Sequence, residues 1–183
     1  AYRNTGGGES GAVVKVNGDG SVEVLTGTTE SGTGAWTILR QIAAEELGVD
    51  PEMIRVAPGD TTVAPLDSGS AASRVTNVAG WAVRLAAQEA ALILKNTAAG
   101  ILGCSGDEIV VKEGRYWHAS RAEHCLSIRE VAEKACKRGP LIGRGSYEDH
   151  SRDTVSFAAH VAEVRVDRET GAVRVTRLVA VHD

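Results

Sequence analysis

The 183-residue chain is long enough for one domain or one lobe of a larger one, and 43% apolar residues can build a core. Aromatics are only 4%, so that core must come from Val, Ala, Leu and Ile. A net charge of −4 with no basic run longer than two residues argues against a nucleic-acid or acidic-membrane surface, and no apolar stretch reaches the roughly 20 residues of a membrane helix.

Three cysteines, Cys104, Cys125 and Cys136, are an odd number without close pairing. That favours free thiols in a reducing, cytoplasmic setting. The chain begins with Ala1, which suggests a trimmed or processed piece. Residues 1–11 are polar and Gly-rich and read as a linker or disordered end, leaving 12–183 as the domain.

Residues 12–16 alternate Ala12, Val14 and Val16; Asn17-Gly18-Asp19-Gly20 is a turn, and Val22 and Val24 resume the alternation. This predicts a β-hairpin. Residues 27–34, Gly-Thr-Thr-Glu-Ser-Gly-Thr-Gly, then form a loop ahead of a helix over 35–47. Leu39, Ile42, Ala43 and Leu47 share a face of that helix, Gly48 can cap it, and Pro51 opposes continuation. A short strand over 54–57 follows, closed by Pro58-Gly59-Asp60, with Asp60 shaping its turn through side-chain to backbone bonds.

Residues 67–76, Asp-Ser-Gly-Ser-Ala-Ala-Ser-Arg-Val-Thr, are a second loop of the same kind. After it, 77–102 reads as a long Ala-rich helix with Val78, Ala82, Leu85, Leu92 and Ile93 on its buried side and a break near Gly100 or Gly103. Residues 109–111 and 116–118 flank Glu113-Gly114 as a second hairpin. A shorter helix over 128–137 has Ser127 and Glu130 spaced as a capping box. Residues 144–151 give no clear signal. Residues 155–166 and 173–181 form a last hairpin around Glu169-Thr170-Gly171. Its apolar end, 178–181, suggests a central sheet position and a polypeptide that continues. The sum is α+β: two layers, a mixed β-sheet built from hairpins, and helices mainly on one face.

Each loop enters a helix, whose N-terminal end is positive and rich in free amides. The two loops are therefore expected to converge on one phosphate-bearing ligand.

With both loops placed, the order of motifs resembles the molybdenum-cofactor-binding subunit of the xanthine dehydrogenase and aldehyde oxidase family. The likeness rests on residues 20–27 leading into Glu30-Ser31-Gly32-Thr33-Gly34, then Gln41-Ile42-Ala43-Ala44-Glu45. It continues through Pro58-Gly59-Asp60-Thr61, Ser70-Ala71-Ala72-Ser73-Arg74 and residues 162–171. It implies hydroxylation of N-heterocycles or aldehydes with oxygen from water. The implied cofactor is molybdenum-molybdopterin, with or without a cytosine dinucleotide. Iron–sulfur clusters and FAD would sit on partner domains or subunits, beside the rest of the molybdenum subunit.

Carried over by motif, the implied cofactor contacts are Gly32, Thr33 and Gly34, then Ala71, Ala72, Ser73, Arg74 and Thr76. Thr33 stands where the family carries Gln, a short hydroxyl for a long amide. Ala71 and Ala72 would leave room near the metal and pterin; Ser73, Arg74 and Thr76 would meet the phosphates, Arg74 as a bidentate fork. No catalytic residue is assigned, because the family's Gly-Val-Gly-Glu-type loop does not occur in this sequence, and the piece alone is expected to be inactive. An alternative is a non-enzymatic phosphate- or nucleotide-binding module.

Other polar residues read more plainly. Glu30 suits a carboxylate facing the helix dipole better than a general base. His118, His124 and Cys125 fit no zinc spacing, and no protein metal ligand is expected. Cys104 reads as a small buried or half-buried thiol, His160 as structural and Trp81 as packing.

Overall fold

The computed structural model describes residues 2–3, 7–57, 59–71, 73–149 and 155–182. Among them the strands are β1 (Tyr2–Arg3), β2 (Gly8–Val16), β3 (Val22–Thr26), β4 (Ile54–Ala57), β5 (Ile109–Lys112), β6 (Arg115–His118), β7 (Arg121–Ser127), β8 (Leu141–Asp149), β9 (Val155–Ser156), β10 (Ala158–Val166) and β11 (Val173–His182). The helices are α1 (Ala35–Leu47), α2 (Gly80–Leu102) and α3 (Ile128–Ala135), and a π turn, Val75–Ala79, leads into α2. The architecture is α+β, as the sequence predicts. Two compact units divide the chain: Gly6–His150, and Ala1–Thr5 with Ser151–Asp183.

In the larger unit a four-stranded sheet runs in the order β4-β3-β2-β8. β2 is antiparallel to β3 and β8, and β3 is parallel to β4. Alternation buries Ala12, Val14, Val16, Val22 and Val24 on the face that meets the helices. A parallel pair needs a crossover, and α1 supplies it between β3 and β4. That crossover puts the loop 27–34 beyond the carboxyl end of β3, where open sheets with parallel strands commonly receive ligands. Gly48 ends α1 in the left-handed conformation at φ 66.

Two parts of this unit depart from the sequence reading. Residues 8–11, expected in a linker, extend β2. Residues 144–149, which carry no clear pattern, belong to β8, and the reason is its glycines. A Cβ on Gly143 would lie 2.1 Å from Ala86 O, and one on Gly145 would lie 2.0 Å from Ala82 O. Glycine here lets the backbones of β8 and α2 touch, so the strand shows no apolar alternation. The same closeness corrects the expected buried face of α2. Its core stripe is Ala82, Val83, Ala86, Ala87, Ala90 and Leu94, while Leu92 and Ile93 are exposed. Small side chains fit the narrow gap and the large ones turn outward.

β5, β6 and β7 form a separate antiparallel sheet, of which the sequence predicts only the first hairpin. α3 begins with the expected capping box, Ser127 Oγ accepting from Glu130 N–H and Glu130 Oε2 accepting from Ser127 N–H. In the smaller unit β1 pairs with β9, and β10 with β11, with a bulge at Glu163/Val164. Among the described residues β11 has β10 as its only partner, not the central position expected of it, and Val161, Leu178 and Val181 are exposed.

Candidate functional site

The two loops meet in the larger unit, and a buried polar knot explains why. Arg74 is 1% exposed, and all five of its guanidinium N–H groups find acceptors within the chain. Nε donates to Gly7 O at 2.9 Å. Nη1 donates to Gly69 O at 2.6 Å and to Asp67 Oδ1 at 3.3 Å. Nη2 donates to Glu9 O at 2.8 Å and to Ser10 Oγ at 2.9 Å. Asp67 Oδ2 accepts from the hydroxyls of Ser10 and Thr28. Asp67 also takes Gly69 N–H on Oδ1 at 2.7 Å, which rounds off the turn. Thr28 belongs to the first loop, Asp67 and Arg74 to the second, and Ser10 to β2. One ion pair with matched hydrogen bonds thus clamps both loops to the sheet.

The first loop is closed by its own carboxylate. Glu30 accepts from Gly32 N–H at 2.7 Å, Gly34 N–H at 3.1 Å and Trp36 N–H at 3.1 Å. Gly32 and Gly34 sit at φ 89 and φ 76, left-handed values that a side chain resists and that aim these amides inward. The Trp36 amide, then those of the glycines, hold the Glu30 carboxyl below the usual carboxylate range. The α1 end therefore carries a built-in anion, in keeping with the dipole-facing role expected of Glu30.

α2 is different. Among the described residues no side chain caps the turn that begins at Val75, and its first turn holds no acidic residue. Its amides remain for an outside anion. Ser73 precedes it at φ 60, an uncommon conformation for a residue with a Cβ.

Between the loops lies a cleft of about 620 Å³. Thr33, Gly34, Ala35 and Ile38 line the α1 side, and Ser70, Ala71, Ser73 and Thr76 line the α2 side, with Arg74 behind them. Of the residues singled out from the sequence, Thr33, Gly34, Ala71, Ser73, Arg74 and Thr76 come together here. Gly32 supports the wall through Glu30, and Ala72 lies outside the described residues. The guanidinium of Arg74 is consumed by the knot, so the phosphate fork expected of it is not available in this arrangement. Ser10, Thr28 and Asp67 were not marked as site residues. Only Asp67, opening the second Ser/Gly loop, carries a signal that could have found them.

The residues fit an anionic ligand: an open helix N-terminus, the hydroxyls of Thr33, Ser70, Ser73 and Thr76, and the small side chains of Ala35 and Ala71 around one cleft. The family of molybdopterin cofactor-binding domains matches residues 1–183. The chain belongs to that family. It is 30% identical to the carbon monoxide dehydrogenase large chain of Hydrogenophaga pseudoflava over 175 residues, 93% of this chain and 22% of the relative. It is 33% identical to the nicotine 6-hydroxylase large subunit of Paenarthrobacter nicotinovorans over 180 residues, 94% of this chain and 22% of the relative. Among solved structures, quinoline 2-oxidoreductase from Pseudomonas putida 86 superposes with a TM-score of 0.81 at 28% identity, covering 96% of this chain and 23% of that one. This molybdopterin cofactor-binding domain thus spans under a quarter of the length of these relatives. No helix among the described residues is long and apolar enough to cross a membrane.

Proposed function

We propose that this domain holds the pterin cofactor of a molybdenum hydroxylase and supplies one wall of its binding site. The observation that carries this reading is the shared cleft, with an uncapped α2 N-terminus on one side and a self-neutralised α1 loop on the other. The anionic arm of the cofactor belongs at the α2 end, against the amides after Arg74 and the hydroxyls of Ser70, Ser73 and Thr76. The α1 end, already occupied by Glu30, suits the neutral ring system, with Thr33 as a hydrogen-bonding contact and Ala71 leaving room. Arg74 and Asp67 position both walls and do not touch the ligand. When bound, the cofactor would supply two-electron redox chemistry at molybdenum, with oxygen drawn from water. The substrate class is an N-heterocycle or an aldehyde, and electrons leave toward iron–sulfur and flavin partners.

By this reading the domain alone is catalytically silent and holds cofactor poorly, since the rest of the molybdenum subunit completes the site. The test is co-production with that remainder in a cofactor-making host, followed by molybdenum and pterin analysis. Near-stoichiometric pterin is expected in the assembled protein. Ser73→Gly removes the hydroxyl without opposing the positive φ, so retention should fall about tenfold with the fold unchanged. Tight, micromolar or better binding of a free mononucleotide by this chain alone would favour a nucleotide-binding module instead.

A further inference from the structure

At the other end of α2, three metal-ligating side chains meet. The ligand atoms of Cys104, Glu108 and His118 all lie within 4.8 Å of one another. Each is held from a different direction. Cys104 follows the left-handed Gly103 cap, and its N–H donates to Ala99 O at 3.0 Å. Glu108 is anchored by a capping box, Oε2 accepting from Ser105 N–H at 2.9 Å, which leaves Oε1 facing His118 Nε2 at 3.6 Å. His118 is placed by the register of β6 on β5 and is 5% exposed. Its Nδ1 accepts from Ser120 N–H at 3.1 Å. The ring is almost wholly buried, and its Nε2 faces the Glu108 carboxylate close to the Cys104 thiol.

We propose that Cys104, Glu108 and His118 bind a divalent cation of the zinc class, with water as a fourth ligand. Zinc accepts sulfur, nitrogen and oxygen together, and its bond lengths set tetrahedral edges of about 3.3–3.8 Å. The His118–Glu108 pair already stands at that distance, and the thiol closes by roughly 1 Å. Thiolate and carboxylate neutralise the dication. The C-terminal end of α2, which has no basic residue in its last turn, adds negative potential. On binding, the thiol proton leaves to solvent and the imidazole proton moves from Nε2 to Nδ1. The exposed Ser120 then turns its amide from the ring to water. The cation would clip the end of α2 to the β5–β6 hairpin.

Metal-stripped, reduced chain is titrated with Co²⁺ and then Zn²⁺. One Co²⁺ per chain is expected, with a near-ultraviolet thiolate-to-cobalt band that Zn²⁺ abolishes, and a raised Tm. Cys104→Ser should remove the band, while Cys125→Ser and Cys136→Ser keep it. Glu108→Gln and His118→Gln should each weaken binding at least about tenfold. Absence of the band in the unaltered chain overturns the proposal, as does a band that depends on Cys125 or Cys136 instead of Cys104.

Discussion

Arg74 shows how a residue can sit at a site and yet serve the fold. Its side chain lines the back of the cleft, but every N–H it owns is matched inside the protein. A phosphate fork and a buried clamp make different demands on the same position. Lys keeps the charge but offers three donors from a single atom, and it cannot reach acceptors arranged around a planar guanidinium. Arg74→Lys should therefore destabilise the ligand-free chain by about 3 kcal/mol, the worth of roughly two lost hydrogen bonds to a charged group. Urea denaturation without cofactor measures it. An unchanged midpoint would return Arg74 to the role of a free phosphate ligand.

At the scale of elements, the two helix N-termini differ in who provides the anion. α1 is served from within by Glu30, and its carboxyl titrates below the ordinary range because three amides favour the charged form. A depressed folded value means the contribution is present above the ordinary carboxylate range and disappears as pH falls through the folded value. Glu30→Gln should thus be less stable than the parent chain at neutral pH and should converge with it in acid. A difference that stays constant with pH would remove the charge from the explanation. Much at this scale was legible in the residues: α1 with its Gly48 cap, the capping box of α3, and two loops each entering a helix. β8 and the alanine face of α2 were not, for one shared reason. Apolar periodicity is a signal carried by large side chains, and where Gly143 and Gly145 let two backbones touch, no large side chains remain to carry it. The knot was equally hidden, because Ser10, Thr28, Asp67 and Arg74 meet across sequence separations that no local pattern records.

For the whole molecule, every residue of the cleft and of its knot belongs to the unit Gly6–His150. That unit owns the mixed sheet, three helices and the continuous apolar core. The other unit offers paired strands with Val161, Leu178 and Val181 exposed, and a two-stranded ribbon has little means of standing alone in water. The two should therefore depend on their own contacts to different degrees. A chain trimmed to residues 6–150 is expected to unfold cooperatively, with a urea midpoint close to that of the parent, and to keep protection of the Arg74 side chain and the β2 amides against hydrogen exchange. Residues 151–183 alone should show no cooperative transition. If trimming instead abolishes the transition of the larger unit, its sheet and helices do not hold the two loops unaided.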